Sequence, residues 1–422
     1  MSYSKDEGMM FRSLDYRNFR LFFAGQFVSL IGGWLQHTAQ AWLVYRLTKD
    51  SMMLGLVAFV SQFPAFLLGF YAGFVVDRGD HLKIVRRTQA AAMLQAVILA
   101  ALCFSGWVQV WHVFVLALAL GIVTAFDLPA RQVLIGELVE PEHRHNAIAL
   151  NSTIVNGSRI VGPALAGLMI GWVGEAWCFA LNALSFLAVI GALYAMKEVR
   201  QAPSTMKDAL WEEVGKGLSY AAGHEAIRAS LLTLGIFSLL GLPLFVLLPV
   251  FAEEVLHAGP KGFGILSSFS GIGATFGALH LARRSGTAGL GKIIVESFLI
   301  FSVAVLGLAC SRQLWLSCSL MWVIGFAGLQ TVSGINTVLQ DLVGDRYRGR
   351  VMGFFAMVFV GLAPIGSFAA GSLASRFGAP ATVALEALLC LGFTLWHFRT
   401  LPRLLVERPA GLLAGPEVPA PL

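Results

Sequence analysis

The sequence predicts an all-α integral membrane protein with twelve transmembrane helices in two six-helix pseudo-repeats. Three observations carry this. First, the 422 residues are 57% hydrophobic and 13% charged, with mean hydropathy +0.74. A soluble domain carries about 25% charged residues, so this much apolar side chain calls for lipid as its solvent. Second, the apolar residues fall in twelve runs of about the 20 residues that a helix needs to cross a bilayer. Third, the chain repeats itself. Glu137-Leu138-Val139, followed by Arg144, returns 204 residues later as Asp341-Leu342-Val343, followed by Arg348, and Gly121 falls on Gly325. An offset of half the chain is the mark of two copies of one unit.

Residues 1–19 are polar and form a cytoplasmic N-terminus with no cleavable signal, because the first apolar run is too long for one. The runs lie near 20–46, 54–76, 86–106, 108–127, 147–173 and 176–196, and resume near 229–252, 262–282, 291–310, 314–334, 350–374 and 378–398. This divides the chain into an N-terminal bundle (20–196), a linker (197–228), a C-terminal bundle (229–398) and a disordered cytoplasmic tail (399–422) rich in proline. In the linker, Leu210, Trp211, Val214, Leu218 and Ala222 recur at helical spacing against Glu212, Glu213 and Lys216. That pattern fits an interfacial amphipathic helix tethering the two bundles. With the N-terminus inside, 24 of the 30 Lys and Arg fall in inner segments and five in outer ones, while Arg159 lies within a span. This bias places both termini in the cytoplasm.

Several chemistries lack support. The five cysteines show no metal-ligand or CxxC spacing and read as small core or lipid-facing residues. There is no phosphate-cradling G-x-x-x-x-G-K-[ST], H-E-x-x-H or G-x-S-x-G motif, so neither ATP-driven pumping nor membrane hydrolysis is indicated. No cofactor, metal or enzymatic activity is expected. The net charge of +6 reflects loop orientation rather than nucleic-acid binding.

Two stretches carry a resemblance. Gly73-Phe74-Val75-Val76-Asp77-Arg78, followed by basic Lys83, resembles motif A of the major facilitator superfamily. The usual second glycine is Asp80, and basic positions are taken by His81 and Leu82. Asp127-Leu128-Pro129-Ala130-Arg131-Gln132, Glu137-Leu138-Val139, Asn146 to Ser152 and Gly162-Pro163 resemble the enterobactin-exporter-like and drug-exporter branch of that superfamily. So do Asn18 to Phe22, Trp42 to Leu47 and Arg348 to Met352. The run Gly162-Pro163-Ala164-Leu165-Ala166-Gly167 resembles part of motif C, which marks exporters; Ser158 and Ala166 stand where two glycines would be. The eleventh span echoes it with Gly361, Pro364, Gly366 and Gly371, and Pro364 bends that span as Pro163 bends the fifth. The resemblance implies a major facilitator fold working by alternating access. It also implies a cytoplasmic latch built on Gly73, Asp77, Arg78, Asp127 and Arg131, with Arg131 as the partner of Asp77.

Candidate substrate ligands are polar residues within spans: Gln36, His37 and Gln40 in the first, Asn151, Asn156 and Arg159 in the fifth, and Gln330 and Asn336 in the tenth. Arg159 stands out, since an intramembrane Arg costs about 2.5 kcal/mol or more unless it faces water or a carboxylate. It reads equally as a cavity cation for an anionic substrate group and as a buried structural ion pair. Candidates for proton coupling are Asp127, Glu296 and Glu386, with Glu296 four residues from Lys292. The expected function is proton-coupled export of small amphipathic molecules, siderophore-like or drug-like, across a bacterial-type inner membrane. The alternative is a facilitator for uptake or for flipping a lysophospholipid. The expected partners are the substrate, protons and the lipid bilayer, and the expected state is a monomer.

Overall fold

In a hydrocarbon slab each backbone N–H and C=O must be satisfied within its own segment, so long apolar runs form helices. The computed structural model describes residues 12–197, 220–284 and 289–397, and among these every regular element is helical. In order they are α1 (Arg17–Thr48), α2 (Ser51–Arg78), α3 (His81–Phe104), α4 (Val110–Glu137), α5 (Arg144–Val173) and α6 (Glu175–Ala195). Then follow α7 (Glu225–Val255), α8 (Gly259–Ala282), α9 (Leu290–Cys310), α10 (Leu314–Leu342), α11 (Asp345–Phe377) and α12 (Ala379–His397). Eleven of the described helices are long and apolar enough to cross a membrane. The exception is α1, which has the length at 32 residues but interrupts its apolar run with Gln26, Gln36, His37, Thr38 and Gln40. The expected amphipathic helix from Leu210 to Ala222 lies outside the described residues except for its end, where 220–223 are helical, and the C-terminal tail lies outside them.

The described residues fall into two compact units, drawn from Met1–Met206 with Val246–Gly271 and from Lys207–Phe245 with Ile272–Leu422. The chain therefore passes from one unit to the other within α7 and again within α8. In the first unit α1 packs on α5 and α6, α2 on α4, and α3 on α4 and α6. In the second, α11 packs on α7, and α9 on α10 and α12.

The repeat seen in the sequence holds at the level of single contacts. Arg144 Nε donates to Gly136 O at 3.0 Å, and Arg348 Nε to Gln340 O at 3.1 Å; donor and acceptor alike recur 204 residues on. Tyr16 meets His143, and Tyr220 stacks on Tyr347, again in register. Leu134, Ile135, Val139 and Ala147 are core residues of the first unit. Their equivalents Val338, Leu339, Val343 and Val351 are core residues of the second.

Glycine and proline set the closest helix crossings. Gly162 on α5 lies against α1, where an added Cβ would sit 2.3 Å from Trp34 Cβ. Its equivalent, Gly366 on α11, lies against α7, with the added Cβ 2.1 Å from Leu239 O. That carbonyl is left without its helical donor because Pro243, four residues on, has no N–H. The helix answers locally with a π turn at Phe237–Gly241, the kind of bulge that accompanies such a break. A second π turn at Phe251–Val255 follows Pro249.

Replacing Gly162 or Gly366 by Val is expected to destabilise the protein by about 1–3 kcal/mol through overpacking. The measurement is a fall in the thermal unfolding midpoint in detergent. Gly191→Val is the control, because an added Cβ there meets nothing within 4 Å.

Candidate functional site

Pro163 removes the amide that would bond the carbonyl of Arg159. The backbone of α8 closes on that freed carbonyl, with a Cβ placed at Gly271 lying 3.0 Å from Arg159 O. One turn along, Gly162 lets α1 come in close. The two contacts bring together three side chains of the first unit. The Arg159 guanidinium lies over the Trp34 ring at 5.9 Å, and His37 meets the same ring edge-on at 5.7 Å. Arg159 and Trp34 are half-buried and His37 is exposed. A cation held on an indole face gains a modest attraction from the ring quadrupole. A charged and a titratable side chain, both accessible at mid-helix, are costly against lipid. Gln40, one turn from His37, and Asn151, two turns before Arg159, are half-buried.

The other candidate ligands are held elsewhere. Gln36 is 3% exposed; its Nε2 donates to Gln95 Oε1 at 2.8 Å and its Oε1 accepts from Asn182 Nδ2 at 2.7 Å. It ties α1 to α3 and α6 and has no end left for a substrate. Gln330, also 3% exposed, is engaged by His280 Nδ1 at 3.2 Å and by the Ser297 hydroxyl at 3.2 Å. Asn156 gives its amide to Ser152 O, and Asn336 accepts from Gln340. For Gln36 and Gln330 the cause is that a buried carboxamide must be paired, and neighbouring helices supply the partners; Asn156 and Asn336 are half-buried and bond within their own helices.

The latch residues are likewise rearranged. Asp127 is buried. Its Oδ1 accepts from Thr88 Oγ1 at 2.7 Å and Gln89 Nε2 at 2.8 Å, and its Oδ2 from Arg131 at 2.5 Å. Arg131 thus serves Asp127, one turn away on α4, and not Asp77 as expected. Asp77 is half-buried with no ion-pair partner among the described residues. Arg78 lies over the Phe74 ring at 4.0 Å, and a Cβ at Gly73 would meet only open space. The departures from motif A have uses of their own. Asp80 caps α3 by accepting from Lys83 N at 3.0 Å. Partial burial pushes its carboxyl pKa up, but the Lys83 amide and ammonium, with Arg86, outweigh this and hold it below the usual range. His81 pairs in a buried contact with Glu137 at 3.0 Å, joining the start of α3 to the end of α4.

Among the coupling candidates, Glu296 lies 3.6 Å from Lys292 on the helix surface. Glu386 is 4% exposed and its Oε2 has no hydrogen-bond partner. Its repeat equivalent is Asn182, but Gln36, which bonds Asn182, and Gln95, which bonds Gln36, are replaced in the second repeat by Leu240 and Leu299. Pro163, Gly167 and Pro364 are buried within continuous helices.

The family model described as transmembrane secretion effector, a major facilitator family, matches residues 10–417. The chain belongs to this family. The facilitator is 25% identical over 378 residues to the staphyloferrin A transporter of Staphylococcus aureus, covering 89% of this chain and 94% of that one. It is 23% identical over 378 residues to macrolide efflux protein A of Streptococcus pyogenes, covering 86% and 92%. The enterobactin exporter of Shigella flexneri is 22% identical over 368 residues, covering 84% of each chain. The fold of the facilitator is that of a bacterial homologue of the human lysosomal transporter Spinster, solved in an inward-facing, unoccupied conformation. There the TM-score is 0.68 at 14% identity, over 94% of this chain and 99% of that one. The facilitator is therefore a membrane-embedded transporter, and the enterobactin-exporter-like resemblance of its motifs is matched by its relatives.

Sequence reasoning missed Trp34, Gln95 and the Thr88–Gln89 pair on Asp127. Trp34 was readable as the residue one helical turn from His37; the other partners lie on separate helices and left no local signal. Gln36→Ala is expected to orphan the buried groups on Gln95 and Asn182 and to cost about 1–3 kcal/mol for each. Thermal unfolding would register this, while the concentration dependence of transport stays unchanged. An altered substrate KM would return Gln36 to the binding site.

Proposed function

We propose that this facilitator is a proton-coupled exporter of small amphipathic molecules, siderophore-like or drug-like, that carry an anionic group next to an aromatic or apolar body. The observation that carries this is the accessible Arg159–Trp34–His37 cluster at mid-helix. Arg159 supplies a charge-assisted contact for a carboxylate or phenolate, and Trp34 offers a flat apolar face beside it. The named activities of its relatives, which include efflux and siderophore export, support the outward direction. So does the partial motif C at Gly162–Gly167. The charge bias supports cytoplasmic termini and an inner location for the Asp77–Arg131 end.

For coupling, Glu386 is the favoured acid. Asp127 has both oxygens committed and Glu296 sits beside an exposed lysine, whereas Glu386 keeps an oxygen free for a proton. Asp127 and Arg131 are assigned to fixing α4 against α3 near the inner end, a gating role. Asp77 is free of that network and remains available as the mobile member of the latch.

The test is accumulation of siderophores and lipophilic drugs in cells lacking the protein and in complemented cells, with and without a protonophore. Complemented cells should retain less of the substrate, and the protonophore should abolish the difference. A solute that enters only when the protein is present would instead establish uptake. Arg159→Ala should insert normally yet lower export about tenfold or more, since a hydrogen bond to a charged group contributes roughly 1.5–3 kcal/mol. Full export by that variant would remove Arg159 from the mechanism. Asp127→Asn should lower the export rate but leave its dependence on the pH gradient intact, measured in proteoliposomes.

A further inference from the structure

One seam on the outer surface of the first unit carries cations that the site does not use. Helices α3 and α6 pack side by side, and exposed side chains meet across them at both ends. At one end Phe104 meets Trp177 edge-on, with ring centres 5.2 Å apart. At the other, Arg86 reaches from α3 to the end of α6. Its Nε and Nη2 donate to Leu193 O at 3.2 and 2.6 Å, and its guanidinium lies over the Tyr194 ring at 4.6 Å. This caps the negative end of α6 and occupies two of the five guanidinium N–H groups. Arg87, next on α3, and Lys197, just past the end of α6, are exposed and pair with no carboxylate among the described residues. The acid nearest in sequence, Asp80, is taken by Lys83 at 3.1 Å. Arg86 and Phe104 are 18 residues apart, about 27 Å along a helix, which matches the roughly 30 Å of a bilayer's hydrocarbon. Between them the two helices turn Ala90, Leu94, Leu187 and Gly191 outward. Exposed Tyr194 and Trp177 thus mark the two membrane boundaries. The unpaired cations stand at the Tyr194 boundary; near the other, Arg46 is paired with Glu175 at 2.7 Å. The second copy lacks the set: the equivalents of Arg86, Arg87 and Lys197 are Leu290, Gly291 and Leu401. Packing of the repeat therefore does not require it.

We propose that the Arg86–Tyr194 end of this seam binds the headgroup of an anionic phospholipid, with Arg86, Arg87 and Lys197 around its phosphate and its acyl chains along α3 and α6. Cations beside a groove between spanning helices attract an anionic headgroup at the membrane surface. A guanidinium suits a phosphodiester because its N–H groups match the phosphate oxygens. The binding stands apart from the transport reading; only the leaflet, the inner one, rests on the orientation proposed above. Bound there, the lipid ties the ends of α3 and α6 together. The next two residues of α3, Thr88 and Gln89, hold Asp127 at 2.7 and 2.8 Å. The headgroup therefore braces the turn of α3 that fixes the Asp127–Arg131 pair.

The test needs no substrate, so its outcome is separate from whether export is found. The full-length protein in detergent is titrated with phosphatidylglycerol or with phosphatidylcholine of the same chains, and bound lipid is counted by native mass spectrometry. The first phosphatidylglycerol should bind about tenfold or more tightly than the first phosphatidylcholine. One cation near a membrane surface is worth about fivefold in affinity. Arg87→Gln should therefore weaken phosphatidylglycerol about fivefold, and Arg87→Gln with Lys197→Gln should bring it to the level of phosphatidylcholine. Both side chains are exposed, so the thermal unfolding midpoint should not move. Lys292→Gln, which removes an exposed cation from the first turn of α9, should leave the preference intact. Equal affinity for the two lipids in the unmutated protein overturns the proposal. So does a double variant that keeps the preference, or an equal loss in Lys292→Gln, which would make the preference a matter of net charge. Displacement of the lipid by glycerol 3-phosphate at the lipid's own affinity also overturns it, since the site would then be one for a soluble anion.

Discussion

The crossing of α5 over α1 at Gly162 is the contact on which the rest of the first unit depends. With any larger residue there, Trp34 could not keep its place, and without Trp34 the Arg159 guanidinium would lose the surface it lies on. Pro163, next along, acts on the other side of the same helix. By removing one amide it exposes the Arg159 carbonyl to the glycine face of α8. Two adjacent residues with opposite backbone properties thus dock two helices on α5 and leave an arginine between them. The resemblance reads this pair as a mark of export; physically it is a packing seam that also positions a charge. Small residues at such seams supply close van der Waals contact in a medium with no hydrophobic drive between helices.

Polar side chains inside the spans divide into two kinds that composition cannot separate. Gln36, Gln95 and Asn182 form a closed chain across three helices, as do His280, Gln330 and Ser297 in the second unit. These bond one another and hold helices in register. Arg159 and His37 instead share an aromatic ring and remain accessible. The distinguishing quantity is whether neighbouring helices enclose the side chain, a property of tertiary contact. Asp127 shows the same rule at the end of a span, where three donors on two helices consume both of its oxygens.

This explains how much the sequence disclosed. Helix positions were legible because lipid forces the backbone to satisfy itself locally, so apolar runs and helices coincide apart from their ends. The repeat was legible because packing residues recur in register, and Arg144 and Arg348 make the same backbone contact in both copies. Of the site, Arg159 and His37 were legible through their cost in a bilayer. Trp34 was not, since an aromatic residue in an apolar run carries no such cost. The pairing of Arg131 was misjudged for a related reason. Motif reasoning reaches across loops to Asp77, while an i, i+4 partner on the same helix lies closer and needs no rearrangement.

Comparing the two copies sharpens the division between scaffold and mechanism. Where the repeats agree, the residues pack: Gly162 with Gly366, Arg144 with Arg348, Val139 with Val343. Where they differ, the residues are those the transport reading uses. Arg159 corresponds to Ala363, His37 to Gly241, Asp127 to Thr331, and Asn182 to Glu386, with Leu240 at the position equivalent to Gln36. The first helices differ most. α1 is one unbroken rod with a polar middle, whereas α7 carries Pro243, Pro249 and two π turns. Its chain changes unit between Phe245 and Val246. A helix whose backbone bonds are already interrupted bends at lower cost than an intact one. The second copy therefore carries the first helix that bends at lower cost, and the first copy carries an unbroken one.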